Sequence, residues 1–319
     1  MKILFYGTPA FAVPSLQHLI DSEHEVTAVV TQTDKPHGRG KIIGSPAVKK
    51  LALEKSIPVI QPTTLKDDSV QRSILDYGAD IGVVVAYGKF LPDPLLTIPR
   101  HGTINVHASL LPKYRGAAPI QRAIMAGESV TGVTIIRLVN EMDAGPMLAH
   151  SSLKIGRNDT SSKTECALAN LGAKLLHDTL AVIEQNQETE IEQNHNSASF
   201  APRLRYSDGL IDWNNPARDI HNQIRALHDW PNAYAFLKGI RYIIFQSQIL
   251  PATRTGISGT FMPGEIIEAR EDSLVVSAGE NSALCVTEIQ REGKRKLPLR
   301  AFLTGCRWTA GLAFSKDKL

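Results

Sequence analysis

The chain has 319 residues, long enough for two domains. Its hydrophobic fraction of 43% can fill a core, yet no apolar run approaches the roughly 18 residues of a membrane span. A net charge of +3 is too small to mark a nucleic-acid binder by itself, and Cys166, Cys285 and Cys306 are scattered without ligand spacing, which argues for reduced thiols in a cytoplasmic protein and against a metal centre.

In chain order, the first half alternates strand and helix signals. KILFYG, at 2–7, is a strand rather than a signal-peptide core. The turn after it, GTPAFAV, lacks the second and third glycines of the dinucleotide fingerprint, so a nicotinamide or ATP cofactor is not expected there. A helical pattern follows through Phe11, Leu16, Leu19 and Ile20, then the β-branched strand EVTAVVTQ. The next connection, TDKPHGRGKIIGSP at 33–46, exceeds the roughly two to six residues usual between strand and helix. It carries Lys35, Arg39 and Lys41, and no acid occurs from Lys35 to Leu53. It reads either as a solvated surface loop or as a grip for phosphates or a nucleic-acid end. Ser45 and Pro46 then open a helix as N-cap and first helical residue. PVIQP, IGVVVAYG, TINVHASL and TGVTIIRL are further strands, separated by the helix-like DDSVQRSILDYG and APIQRAIMAG. Near-continuous apolar strands alternating with helices predict a doubly wound, mostly parallel α/β sheet, in which ligands bind beyond the carboxyl ends of strands.

Within TINVHASL the period of two puts Asn105 and His107 on one face and Val106 on the other. An isolated Asn-x-His more often bonds backbone groups inside a core than serves a ligand. The flanks favour chemistry. SLLPKYRGAAP supplies a Pro turn and Gly116 before a helix, and LVNEMDAGPML sets Asp143 in a loop framed by Gly145 and Pro146. An amide, an imidazole and a carboxylate suit acyl transfer to an amine, as oxyanion donor, proton handler and support for the imidazole. A plain turn cap is the alternative role for Asp143. Ser109 sits in no G-x-S-x-G elbow, so a covalent serine mechanism is not expected. His101 and His107 have no nearby Cys partner for a metal.

A long helix over about 160–185 carries Leu168, Leu171, Leu175, Thr179 and Ile183 on one stripe. QETEIEQNHNSASFAPRLRYSDG is then polar and aperiodic and reads as a surface linker. Past Gly209, one helix precedes the short runs RYIIFQSQIL, GEIIEA, SLVVSAG and ALCVTEIQ, which suggest a small OB-like β-barrel. Between Arg291 and Arg300, five basic residues, among them Lys294 and Arg295, face the single acid Glu292. The expected division is a catalytic domain over 1–188, a linker over 189–207 and a β-barrel domain over 208–319.

Over nearly its whole length the chain resembles the folate-dependent formyltransferases. The likeness is carried by ILFYGTPAFAV, KPHGRGK, VVVAYGKFLP, NVHASLLPKYRGAAPIQRAI, TGVTIIRLVNEMDAG, FAPRL with GLIDW, and IRALHDWPNAY. The basic loop and C-terminal domain point to members that use tRNA. The resemblance implies transfer of a formyl group from 10-formyltetrahydrofolate to the α-amino group of methionine esterified to initiator tRNA. It implies a catalytic trio of Asn105, His107 and Asp143, and a folate-binding loop of Ser109, Leu110, Leu111 and Pro112. A pterin pocket would be lined around Phe90 and Leu91. Arg39, with Lys35 and Lys41, would enter at the tRNA acceptor end, and Lys294 and Arg295 would add contacts from the barrel. No metal is implied, and a monomer is expected. Two other readings stay open: a formyltransferase for a small amine such as glycinamide ribonucleotide or an amino sugar, and a non-catalytic RNA-binding protein.

Overall fold

Apolar runs without polar alternation bury both faces of a strand, and the sheet of the first half is built on that rule. The computed structural model describes residues 1–37, 42–250, 261–306 and 308–317. It divides into two units, the first made of Met1–Pro119, Val130–Lys154 and Glu165–Pro202, the second of Ile120–Ser129, Ile155–Thr164 and Arg203–Leu319. Along residues 1–202 the strands are β1 (Lys2–Gly7), β2 (Glu25–Val30), β3 (Lys35–His37), β4 (Ile42–Gly44), β5 (Val59–Ile60), β6 (Ile81–Val85), β7 (Thr103–His107), β8 (Val130–Arg137) and β9 (Met147–Lys154). The helices are α1 (Val13–Ile20), α2 (Ala47–Glu54), α3 (Asp68–Leu75), α4 (Asp93–Thr97), α5 (Pro119–Met125) and α6 (Ser161–Glu184).

Seven strands form one sheet in the order β5-β2-β1-β6-β7-β8-β9. The first five are parallel, and β8 and β9 continue antiparallel. This bears out the doubly wound, mostly parallel expectation. The chain builds outward from β1 to β5 and then resumes on the other side with β6, so the switch point lies between β1 and β6. There Thr8 Oγ1 and Gln32 Nε2 both donate to the Tyr87 carbonyl, at 3.1 and 2.8 Å, tying the first strand-to-helix turn to the loop after β6.

Several local expectations change. Pro46, not Ser45, is the N-cap of α2, and the Ser45 hydroxyl meets Asp34 instead at 3.3 Å. The basic connection is no plain loop, because β3 and β4 pair into an antiparallel hairpin; Arg39 and Lys41 lie outside the described residues. The buried stripe of α6 runs through Leu168, Leu176, Leu180 and Ile183, while Leu171 and Leu175 are only half covered. By length and composition α6 is the one described helix able to cross a membrane, but that stripe is buried in protein. β9 carries no strand signal in sequence, since MLAHSSLK alternates half-covered and exposed positions along a sheet edge. The stretch expected to be a surface linker contributes Gln193 and Ala201 to the interior of the first unit.

The second unit holds α7 (Ala217–Ala226), β10 (Ala233–Leu237), β11 (Ile240–Ile249), β12 (Ile266–Arg270), β13 (Ser273–Ala278), β14 (Ser282–Arg291), β15 (Leu297–Pro298) and α8 (Leu299–Thr304). The antiparallel path is β10-β11-β14-β13-β12, with β15 on β14. Such a path leaves two unpaired edges. The segment 312–315 covers both. Phe236 and Ser315 exchange backbone bonds of 3.0 and 2.7 Å, Ile266 N donates to the Leu312 carbonyl at 2.7 Å, and Phe314 N to the Gly264 carbonyl at 2.9 Å. The sheet thereby closes on itself, around a core in which Trp213 stacks on Phe314 at 5.5 Å and α7 inserts Ile220 and Ile224.

Candidate active site

β7 puts Asn105 opposite Val84 and Ile136, and His107 opposite Thr134. Val106 faces the other way, toward α6, where a Cβ on Gly172 would lie 3.0 Å from Val106 Cγ1. Asn105 and His107 therefore share the remaining face, as alternation requires. His107 Nε2 lies 3.0 Å from the Tyr114 carbonyl. A carbonyl only accepts, so Nε2 carries the proton of that bond. Nδ1 points to Asp143 Oδ2 at 3.6 Å, and the same oxygen accepts from Gly116 N at 2.8 Å. Asn105 is 8% exposed, and among the described residues its side-chain amide has no hydrogen-bond partner. Its donors are uncommitted.

Asp143 does not arrive by strand order alone. β8 is antiparallel, so its last residue Arg137 lies beside Ile104 rather than His107, and the loop 138–146 must reach back along β7. Asp143 adopts φ +49 in that loop. Gly145 has no room for a side chain, since a Cβ would run into the Arg137 carbonyl. Gln193 Nε2 then grips the turn twice, donating to the Asp143 carbonyl at 2.9 Å and the Gly145 carbonyl at 2.7 Å. Its Oε1 accepts from Arg115 Nε and Nη2 at 3.1 and 2.7 Å. Arg115 is 2% exposed and is fixed through its backbone by Ser199 and Ala201. A buried guanidinium so held is a rigid post for the loop that bears Asp143. Tyr114, Arg115, Gly116 and Gln193 are thus site supports that sequence reasoning misses. The Tyr-Arg-Gly turn shows only its turn chemistry, and Gln193 sits in a stretch without periodicity.

The other expected residues take varied places. The Ser109 hydroxyl donates to the Lys113 carbonyl at 2.7 Å, across the turn that follows β7. Leu110 is half buried in space left by Gly132, Leu111 is buried and Pro112 is half exposed. Phe90 is 64% exposed, whereas Leu91 is buried among Tyr6, Val84 and Tyr87 and presents no side chain to the surface. Burial pushes the Tyr87 hydroxyl up to about 12 and the Tyr6 hydroxyl higher still, so neither accepts a proton near neutrality. Lys35 is exposed and donates to Gln32 Oε1 at 2.8 Å. Lys294 and Arg295 are exposed in the turn between β14 and β15. Neighbouring cations are engaged: Lys49 pairs with Asp34 at 2.8 Å and, with Gln61, holds that carboxyl below its usual range, while Lys296 pairs with Glu288 at 2.7 Å.

Comparison with known proteins adds to this geometry. A family model described as formyl transferase matches residues 1–180, and one described as formyl transferase, C-terminal domain, matches residues 203–307. The chain is 43% identical over 305 residues to a methionyl-tRNA formyltransferase of Alkaliphilus oremlandii, covering 96% of each. It is 42% identical over 304 residues to one of Staphylococcus epidermidis, covering 95% of this chain and 96% of that one. Among solved structures, a sugar 3N-formyl transferase, WlaRD, in the presence of dTDP and 5-N-formyl-THF, matches with TM-score 0.66 and 20% identity, over 92% of this chain and 99% of that one. HypX from Aquifex aeolicus in complex with tetrahydrofolic acid matches with TM-score 0.59 and 16% identity, over 95% of this chain and 47% of that one. At such identities the structural likeness speaks for the fold alone.

Proposed function

The chain belongs to the formyl transferase family, and from that premise we propose that it moves the formyl group of 10-formyltetrahydrofolate onto the free α-amino group of methionine carried by initiator tRNA. The folate supplies a formyl carbon bonded to a nitrogen that leaves once the acceptor amine has added. A free α-amino group titrates near 7.7–8.0, roughly, and an adjacent ester lowers this further, so the acceptor is nucleophilic near neutrality without a strong base. Alignment, shielding and charge stabilisation remain for the protein.

Asn105 is the donor for the formyl oxygen as negative charge builds there. His107, with Nε2 anchored on the Tyr114 carbonyl, offers Nδ1 to the amine proton. With the proton on Nε2, Nδ1 and Asp143 Oδ2 are both acceptors, and at 3.6 Å no hydrogen bond joins them, so the Nδ1 lone pair is open to the amine proton. Asp143 stabilises the imidazolium that results and is itself held by Gly116 N. The residues present fit a flat, partly apolar formyl donor: the exposed Phe90 ring and the half-covered Leu110 and Pro112 follow the carboxyl ends of neighbouring strands β6 and β7. Ser109, Leu110, Leu111 and Pro112 would hold that donor with Phe90. Lys35, Arg39, Lys41, Lys294 and Arg295 would meet tRNA phosphates. The first unit contributes all three members of the trio, which supports action as a monomer. The acceptor ties the reaction to the cytoplasm, where translation is initiated.

The observation that carries this reading is the uncommitted Asn105 amide on the face of β7 that also bears the His107–Asp143 pair. The test is single-turnover formylation of charged initiator tRNA by Asn105→Ala with folate binding confirmed. Loss of one oxyanion donor should slow the step by about a hundredfold or more. A near-wild-type rate would reject the assignment. Replacing the charged tRNA with a free amino sugar should give no product; formylation of the sugar would favour a small-amine acceptor.

A further inference from the structure

At the amino ends of β1 and β2, away from the Asn-His-Asp trio, the first unit gathers a second group of imidazoles. His24 stands just before β2, next to Glu23, and His177 projects from α6. One ligand atom from each of Glu23, His24 and His177 lies within 4.8 Å of the others. His24 is 6% exposed, yet its Nε2 is buried without a hydrogen-bond partner, 3.8 Å from Glu23 Oε1. His177 Nδ1 is likewise buried and unpartnered. The two rings are 6.2 Å apart between centroids, and His18, in the last turn of α1, packs edge-on against His177 at 5.7 Å. Buried polar atoms in proteins are nearly always bonded, so two orphan imidazole nitrogens beside a carboxylate ask for an occupant.

We propose that Glu23, His24 and His177 bind a divalent transition-metal ion, with zinc the best match to two imidazole nitrogens and one carboxylate oxygen. Three protein ligands leave room for water, and the N,N,O donor set suits zinc or cobalt better than magnesium or calcium, which take oxygen shells. Coordination bonds of about 2.0–2.2 Å require the ligand atoms to draw together by roughly 1 Å. The Glu23 side chain is 63% exposed and free to make that movement. The Met1 ammonium donates to His24 Nδ1 at 3.2 Å, a bond in which that nitrogen accepts and which works against metal on Nε2. Coordination through Nε2 puts the ring proton on Nδ1 and gives up acceptance of a bond there, a loss of about tenfold in affinity that the site must absorb. Nothing in the formyl-transfer step uses this group, so its role is to pin α6 to the turn before β2.

The test uses the full, untagged chain. Cobalt(II) alone should produce the visible absorption of a four- or five-coordinate ion at one equivalent, and zinc titrated by calorimetry should show one matching site. His177→Leu should weaken zinc at least tenfold while formylation is retained, and Glu23→Gln, an exposed change that leaves the core intact, should weaken it several-fold. Absence of the cobalt bands, or zinc affinity unchanged in both variants, would overturn the proposal and leave the two nitrogens enclosing water.

Discussion

The loop 138–146 after β8 and the segment 291–300 after β14 both follow long antiparallel strands and both carry residues expected to act, yet they are built in opposite ways. In the first, Gly145 is required because a Cβ would strike backbone, and Gln193 and Gly116 hold Asp143 from two sides. In the second, Gly293 is favoured only by its backbone, at φ +73, since a Cβ there would meet nothing within 4 Å, and Lys294 and Arg295 extend into solvent. Under the proposed function, the difference follows from what each would do. Bond-making groups have to be held to within about half an ångström, whereas phosphates are attracted by a field that tolerates mobile side chains.

That contrast is exposed to experiment. Asp143→Ala should cause the largest loss, on the order of a thousandfold in turnover with tRNA binding unchanged, measured in single-turnover formylation. A loss no larger than that of a surface carboxylate would erase the distinction. Gln193→Ala should come next. It removes both grips on the loop and leaves Arg115 short of an acceptor, so turnover should fall by about tenfold to a hundredfold with little change in KM for either substrate. A pure stability effect, with normal turnover in the folded fraction, would make Gln193 a scaffold residue only. Lys294→Ala combined with Arg295→Ala should raise KM for charged tRNA by about fivefold and lower the salt slope of binding by about two, leaving turnover at saturation intact. An unchanged slope would mean that the segment is merely solvated.

The smallest effect concerns the unit that carries the second segment. Burial holds the His221 imidazole below its ordinary value of 6.5, and its ring bonds Ser247 Oγ at 2.9 Å and the Arg157 carbonyl at 3.0 Å. Between the depressed folded value and 6.5 the unfolded chain binds more protons, so stability rises with pH there. The contribution is complete above 6.5 and is lost as pH falls through the folded value. Thermal unfolding of the full chain should show a midpoint that declines modestly below this point, and His221→Gln should flatten the decline. Parallel curves for the two proteins would remove His221 from the account.

How far residues could be read forward depended on the range of the interactions that place them. Asn105 and His107 were legible because strand alternation is local, and so was the sheet class, because unbroken apolar runs need cover on two faces. Asp143 was expected beside His107 from the chemistry of the trio, but its route there was not legible, since β8 turns antiparallel and its loop must double back. Arg115 and Gln193 are 78 positions apart in the chain, and no local pattern announces that they meet. Leu91 is the converse case: next to the exposed Phe90 in the chain, its side chain turns into the core.

From residue order come the strands and helices, the face that Asn105 and His107 share, and the basic composition of two surface segments, all consequences of periodicity and charge within a few positions. Folding in three dimensions settles the rest. It closes the second sheet with the segment 312–315, commits the Ser109 hydroxyl while leaving the Asn105 amide uncommitted, and turns a polar stretch into the clamp on Asp143. Those outcomes rest on contacts between distant parts of the chain, where backbone hydrogen bonds must be satisfied and side chains compete for the same space.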